Sequence, residues 1–463
     1  MQQKTSHTGY NKNVLLFLII LSSAVNPFLG AAVNIALPSI GEYFSMNAVG
    51  MSWVAMSFLL SSAVFLVPFG KIADIVGRKK IFLYGNIIVV ISSVLCAVST
   101  SGTMLIASRV FQGIGSAMMF GTAMAIITSA FPPNERGKAI GLSVSAVYFG
   151  LSIAPLLGGL LTRYFGWQSL FIATVPFGLI VITVAMLFIK AEWAEGGNEK
   201  FDFGGSLVYM VAVSLFMIGF SSLPETKAYF LAASGVAGLV VFTGIELRSA
   251  FPVMNIGLFK NNRVFAFSNL AALFNYAATF AITFILSLYL QFIKGMSPDK
   301  AGMLLVTQPA VMMIVASFSG RMSDRYDPGI LSSLGMSIIV IGLILLAFLD
   351  NITHTGYIVF SLVILGTGFG LFSSPNTNAV MSSVSKKFLG VASATVSTMR
   401  LTGQMMSMGI ATMIIHVFLG DAKINPGNFP QFMHSLRIIF ILFSFLCFLG
   451  VFASLARGKQ RVL

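Results

Sequence analysis

The chain of 463 residues is 57% hydrophobic and only 9% charged, where a soluble domain carries about 25% charged residues, so a soluble globular protein is excluded. Lys and Arg number 28 against 14 Asp and Glu, a net charge of +14. In a soluble chain that excess would point to nucleic acid, but in an apolar one membrane topology explains it first, because cytoplasmic loops collect basic residues.

A bilayer core about 30 Å thick takes roughly 20 apolar residues per helix, and the apolar runs, broken by polar or Gly/Pro segments, predict fourteen such helices. The first six cover Val14 to Leu37, Met51 to Phe69, Ile81 to Val98, Met104 to Ala130, Ala139 to Leu161 and Ser169 to Ile189. The polar N-terminal stretch Met1 to Asn13 leads into the first run without a small-residue cleavage site, which reads as a retained helix and not a signal peptide. After the hydrophilic stretch Lys190 to Asp202 come Phe203 to Leu223 and Tyr229 to Leu247, and then a polar link from Arg248 to Arg263. The last six helices cover Val264 to Ile293, Ala301 to Phe318, Ile330 to Leu349, Thr355 to Pro375, Leu389 to Leu419 and Ser435 to Ala456.

Charge tests this map, since a wrong span count scrambles the alternation of loops. With the N-terminus inside, twenty Lys and Arg fall on the cytoplasmic side and six outside (Arg163, Lys227, Lys294, Lys300, Lys423 and Arg437), leaving Arg109 and Arg400 within helices. The expectation is an all-α polytopic membrane protein with both termini cytoplasmic, lying in the plasma membrane with no nucleic-acid partner.

The halves repeat at an offset of about 250 residues, the signature of an internal duplication. GKIADIVGR at Gly70 to Arg78 follows the second helix, and GRMSDR at Gly320 to Arg325 follows the tenth. Gly113, Gly115, Gly137 and Gly150 correspond to Gly366, Gly368, Gly390 and Gly403. The repeat unit is six helices, so the chain divides into an N-terminal half over 1–190, a linker with two inserted helices over 191–263, and a C-terminal half over 264–463. Parallel six-helix halves with a site between them are a transporter architecture.

The segment GKIADIVGRKKIFL, Gly70 to Leu83, carries the most specific pattern. Gly70 and Gly77 permit a tight turn, Asp74 can pair with Arg78 or a helix N-terminus, and the basic run anchors the loop inside. This segment resembles the signature after the second helix of the major facilitator superfamily. LIASRVFQGIGSA, Leu105 to Ala117, is similar to that family's fourth-helix motif with its intramembrane arginine, here Arg109. GLSIAPLLGG resembles its fifth-helix antiporter motif, built here from Gly150, Pro155, Gly158 and Gly159, with Ala154 where glycine is usual. VNIALP, Val33 to Pro38, is similar to the end of the first-helix motif of the fourteen-helix drug:proton antiporter branch. The resemblance spans essentially the whole chain. It implies two six-helix major-facilitator halves plus two inserted helices, a small-molecule substrate, protons as the coupling ion and export of drugs or amphipathic molecules.

The chain departs from that branch in one respect. Upstream of VNIALP it reads NPFLGAA with no acid, and each of the fourteen carboxylates falls in a loop or near a helix end. Two intramembrane charges remain, Arg109 near Gln112 and Arg400 near Gln404, and charges at such depth are functional candidates by default. Each is read either as a structural tie between helices or as an anion-favouring group in a cavity, the latter making the protein an organic-anion exporter or facilitator. Asn26, Asn34, Tyr148, Asn275, Tyr276, Gln308, Asn376 and Asn378 are the neutral polar candidates for a substrate pathway, although membrane amides also simply bond across helices. Asp74, Arg78 and Asp324 are expected to tie the cytoplasmic ends together as a gate.

Cys96 and Cys447 sit apart in apolar runs, and His7, His354, His416 and His434 lack metal-ligand spacing, so no metal or cofactor is expected. No phosphate-binding loop, nucleophile with its base, or long soluble output domain is present, which leaves an enzyme or a non-transporting membrane sensor as poor alternatives. The sequence gives no oligomeric state.

Overall fold

The computed structural model describes residues 10–194, 201–249, 253, 257–323, 325–384, 389–420 and 422–458. Asp324 lies outside them, as do the side-chain environments at 137 and 390. Among the described residues the regular structure is entirely helical, and fourteen helices are long and apolar enough to cross a membrane. In chain order these are α1 Lys12–Tyr43, α2 Ala48–Val76, α3 Arg78–Ala97, α4 Gly102–Ala130, α5 Pro133–Phe165, α6 Ser169–Phe188, α7 Phe203–Ser221 and α8 Thr226–Glu246. They continue with α9 Arg263–Ile293, α10 Pro298–Met322, α11 Pro328–Ala347, α12 Thr355–Ser382, α13 Leu389–Leu419 and α14 Phe429–Ala456. An even number of crossings leaves Lys12 and Ala456 on one side, called here the terminal face, with the other side the far face.

The helix ends follow local chemistry. Asn11, Asn47, Ser101, Asp202, Asn262 and Asp327 each accept a backbone N–H of the first turn, satisfying donors that have no partner inside the helix. Gly77 separates α2 from α3 at φ +126, a conformation that L side chains rarely adopt.

Close helix approaches recur at equivalent positions of the two halves. A methyl group on Gly85 would lie 2.8 Å from the Gly115 carbonyl oxygen, and one on Gly335 would lie 2.6 Å from that of Gly368. One on Gly113 would lie 2.4 Å from the Phe58 carbonyl oxygen, and one on Gly366 would lie 2.4 Å from that of Gln308. Membrane helices lack a hydrophobic drive to associate and depend on such small-residue contacts.

The inserted pair packs on itself through Gly219 against Ala232 and Gly235 against Phe216. α7 also touches both halves. The Tyr209 hydroxyl donates to the Ala63 carbonyl of α2 at 3.3 Å, and Phe220 lies against Gly409 of α13.

Two sequence placements change. α14 begins at Phe429, six residues before the predicted Ser435, so Arg437, counted with the outside cations near the start of the predicted run, stands about two turns inside the helix. Arg457, read as a tail cation, is 2% exposed at the C-cap of α14. It donates to the Ser268 hydroxyl and the Asn376 side-chain oxygen, each at 3.2 Å, tying α14 to α9 and α12. Burial pulls its pKa down to about 10, which leaves it charged at neutral pH. The first difference arises because a helix is propagated by its backbone and packing, and so extends past the apolar run that marks it in sequence; the second arises because the neighbouring helices, not the end of the apolar run, decide whether a C-cap side chain is buried.

Candidate functional site

A cavity of about 140 Å³ lies between the halves, lined by α1, α2, α4 and α5 from one and α9, α10, α12 and α13 from the other. Two of these helices are broken at its level. Pro309 in α10 has no N–H to give the Leu305 carbonyl, and the helix is interrupted at Val306. α9 is interrupted at Phe280 and Ala281, where the Ala281 N–H is taken by the Ser407 hydroxyl of α13 at 3.0 Å. Irregular backbone is tolerated at membrane depth where protein or a cavity satisfies it, and such breaks accompany transporter binding sites.

Seven of the predicted pathway residues meet on this cavity: Asn26, Asn34, Tyr148, Tyr276, Gln308, Arg400 and Gln404. Asn26 and Asn34 are 2% and 1% exposed, and the side-chain oxygen of each has no hydrogen-bond partner. A buried amide oxygen left so costs free energy unless a ligand or water fills it. The Tyr148 hydroxyl bonds the Ser373 hydroxyl across the halves, and Tyr276 meets Phe369 edge-on at 5.5 Å.

Arg400 is the one charged side chain among the described residues lining the cavity. Its guanidinium faces the Phe120 ring at 5.5 Å, and no hydrogen bond or ion pair holds it among the described residues. An arginine with free donors beside aromatic rings can fork a carboxylate, a phosphate or a row of carbonyl oxygens.

The other five lie elsewhere. Arg109, 0% exposed, donates to the Val54 carbonyl at 3.1 Å and to the Gln112 side-chain oxygen, and stacks on Phe58 at 4.3 Å. Gln112 passes the chain on to the Ser93 hydroxyl at 2.8 Å. This relay ties α2, α3 and α4 together behind the cavity wall. Asn376 donates to the Ser268 carbonyl and accepts from Arg457, while Asn378 donates to Ser323 at 3.0 Å, so both brace the terminal end of the C-terminal half. Asn275 is fully buried off the cavity, with neither amide atom partnered.

Sequence reasoning missed the aromatic walls, Phe58, Phe120, Phe280 and Phe369, and the hydroxyls of Ser116, Thr279 and Thr283. With 43 phenylalanines in the chain, nothing local separates a cavity ring from a lipid-facing one.

The antiporter-type motif divides its work. Gly150 and Gly158 let α5 approach α1, since methyl groups there would lie 2.2 Å from the Ala24 carbonyl oxygen and 3.1 Å from Ala32. Gly159 faces the other half, where a methyl would stand 2.4 Å from the Pro298 carbonyl oxygen. Gly302 of α10 answers it, a methyl there falling 2.2 Å from the carbonyl oxygen of Pro155, which also lines the cavity. On this side of the cavity Gln291 also donates to the Ile35 carbonyl at 2.9 Å, and Thr412 meets Met56. The halves are therefore packed together toward the far face.

At the terminal face the Arg78 guanidinium pairs with the Asp74 carboxylate at 2.7 Å and donates to the Ala125 carbonyl at 3.3 Å and to the Ser129 hydroxyl. The Glu192 carboxylate takes the Lys79 N–H at 2.8 Å beside Gly77, where a methyl group would strike it at 2.6 Å. Gly70, expected at the turn, lies inside α2, which runs on to Val76, so of the two glycines only Gly77 makes the turn; nothing lies within 4 Å of a methyl placed on Gly70. Asp324, the third expected gate residue, is outside the described residues.

Comparison with known proteins agrees with this architecture. The family model described as Major Facilitator Superfamily matches residues 19–408. The riboflavin transporter RibZ of Clostridioides difficile (strain 630) is 30% identical over 392 residues, covering 84% of this chain and 85% of that protein. The methylenomycin A resistance protein of Bacillus subtilis (strain 168) is 27% identical over 424 residues, covering 90% of each. Among solved structures, a bacterial homolog to the human lysosomal transporter Spinster, in an inward-facing and unoccupied conformation, superimposes with a TM-score of 0.63 at 20% identity, over 96% of this chain and 98% of that one.

Proposed function

The chain belongs to the Major Facilitator Superfamily and is a secondary transporter, and we propose that it exports drugs or amphipathic small molecules in exchange for protons, holding an anionic or acceptor-rich group of the substrate against Arg400. The observation that carries this reading is the cavity itself, where aromatic rings from both halves surround one guanidinium with free donors. Rings supply a planar apolar wall, and a cation in a low-dielectric space selects against cationic cargo. At about 140 Å³ the cavity is smaller than the roughly 300–1,000 Å³ of typical small-molecule sites. A drug-sized molecule therefore enters as the halves part, which is alternating access, with units 1–190 and 264–463 rocking about the site and 191–263 beside them.

No carboxylate or histidine lines the cavity among the described residues, so the exchanged proton is carried elsewhere. Glu246, 4% exposed at the end of α8, is the acid to test. Basic residues concentrated on the terminal face favour cytoplasmic termini; in this reading the protein lies in the plasma membrane and the Asp74–Arg78 pair serves the cytoplasmic gate.

The test is flux in proteoliposomes, with a panel of organic anions, riboflavin and cationic dyes, with and without an imposed pH gradient. Gradient-driven movement of anionic or neutral aromatic compounds that Arg400→Gln abolishes is the expected result. Efficient transport of permanent cations, indifferent to Arg400→Gln, would refute the assignment. Glu246→Gln is expected to uncouple flux from the gradient while substrate binding persists.

A further inference from the structure

A second cavity lies far from the transport path, on the outer side of the bundle between α11 and α14. Its volume is about 600 Å³, and its walls are apolar except for Arg437 and Ser444. On α14, Arg437, Ile441, Phe445 and Phe448 fall at intervals of four, four and three residues, one stripe of the helix. Ile344 and Phe348 form the facing stripe on α11. These apolar side chains are all about half exposed or more, from 45% for Ile344 to 67% for Phe348, so the groove opens toward the bilayer.

Arg437 lies at a definite depth. It stands eight residues after Phe429, which at 1.5 Å per residue is about 12 Å along the helix. The 28 residues of α14 make a helix of about 42 Å, some 6 Å longer at each end than a ~30 Å hydrocarbon core. Its backbone is therefore buried below the hydrocarbon boundary at the far face, and its side chain reaches up to the headgroup region. There Nε donates to the carbonyl of Ala347, the last residue of α11, at 3.3 Å, an acceptor left without an intrahelical partner. The remaining guanidinium N–H groups make no hydrogen bond, and no carboxylate pairs with them, among the described residues.

The acid of the adjoining loop, Asp350, is engaged elsewhere. Its carboxylate accepts from the Thr353 hydroxyl at 2.7 Å and the Ile352 N–H at 2.9 Å, and these bonds, the hydroxyl first, hold its pKa below the usual carboxylate range. Lys294 brings a further positive charge to the same loop, bonded to the Asn351 and Thr353 carbonyls. A cation at headgroup depth, above an apolar groove open to lipid, matches one molecule in both its parts. From Arg437 to Phe448 the groove runs eleven residues, about 16 Å; because it starts about 6 Å below the boundary, Ile441 at about 12 Å lies within the far leaflet's ~15 Å, whereas Phe445 and Phe448 lie past the midplane.

We propose that α11 and α14 form a binding site for an anionic glycerophospholipid of the far-face leaflet, its phosphate forked by Arg437 and one acyl chain seated against Ile344, Phe348 and Ile441. Lipid here fixes the far ends of two helices of the C-terminal half, and thereby acts on a part of the bundle that the transported molecule does not touch.

The test uses the full-length protein, delipidated in detergent and titrated with phosphatidylglycerol or phosphatidylcholine, with bound lipid counted by native mass spectrometry. One phosphatidylglycerol is expected to be retained at a concentration at least tenfold lower than phosphatidylcholine. Arg437→Gln should remove that preference, and Ile344→Trp, which fills the groove and keeps the charge, should remove retention of that lipid. Thermal melts of each variant report folding independently, and Lys300→Gln, a cation of the same face outside the groove, should bind as the parent does. Unchanged retention in both groove variants would overturn the proposal and leave Arg437 only as a tie to Ala347. Displacement of the lipid by sn-glycerol 3-phosphate at equal concentration would also overturn it, since the acyl chain would then contribute nothing.

Discussion

Gly302→Ala tests whether the α5–α10 contact is the far-face closure. The added methyl would lie 2.2 Å from the Pro155 carbonyl oxygen and 3.1 Å from its carbonyl carbon, with the Gly159 Cα at 3.4 Å. All three are backbone atoms, so no side chain can swing away and the helices must separate by about 1 Å. Overpacking of this kind costs about 1–3 kcal/mol. The cost falls only on conformations in which α5 and α10 touch, so the equilibrium moves toward a far-face-open state by roughly 5- to 150-fold. The assay is labelling of Ser152→Cys by a membrane-impermeant maleimide. Ser152 is buried and donates to the Pro309 carbonyl at 3.0 Å, and both native cysteines are buried, which keeps the background low. Adding Gly302→Ala should raise the labelling rate at least fivefold and depress transport. Gly141→Ala, where a methyl meets nothing within 4 Å, should leave both within twofold of the parent. Parental labelling and transport in Gly302→Ala would refute the reasoning.

Other substitutions separate the charged residues by role. Arg400→Gln should cut transport of anionic substrates at least tenfold, about 1.4 kcal/mol, and leave neutral ones nearly unaffected; equal losses for both classes would show a structural role instead. Arg109→Ala should lower the thermal midpoint in detergent by roughly 5 °C or more, because it removes charge-assisted hydrogen bonds and a ring contact, while the surviving protein keeps its substrate selectivity; a stable variant with altered selectivity would contradict the tie. Asp74→Asn should slow transport severalfold without affecting membrane insertion, and parental flux would count against the Asp74–Arg78 gate. Because no carboxylate or histidine lines the cavity among the described residues, the affinity for a substrate without its own ionisable group should change less than twofold between pH 6 and pH 8, as read by equilibrium binding to the purified protein.

The helices were legible in the sequence because a lipid-spanning segment must satisfy its backbone internally and present an apolar surface over about 20 residues, a constraint that acts on each segment alone. The paired glycines were legible for a related reason. Glycines that admit a neighbouring backbone have no substitute, so Gly113 with Gly366 and Gly150 with Gly403 remain recognisable in both halves and meet equivalent helices. Helix ends were less so: the run FPQFMH with Gln431 and His434 hid the first six residues of α14, and Arg437, two residues into the predicted helix, was counted with the outside cations.

Which polar residue faces the cavity depends on how a helix is rotated against several neighbours, and hydropathy is blind to that rotation when all sides are apolar. Arg109 and Arg400 look alike in sequence, each with a glutamine within four residues. Packing turns the first into a triad of helices, where Val54, Gln112 and Phe58 surround it, and the second into the space between the halves, where no described residue takes its donors. The sequence by itself thus determined the membrane class and the fourteen spans, since these follow from the solvent. Only the tertiary structure decided which of the buried charges has a cavity in front of it, because that is a property of eight helices at once.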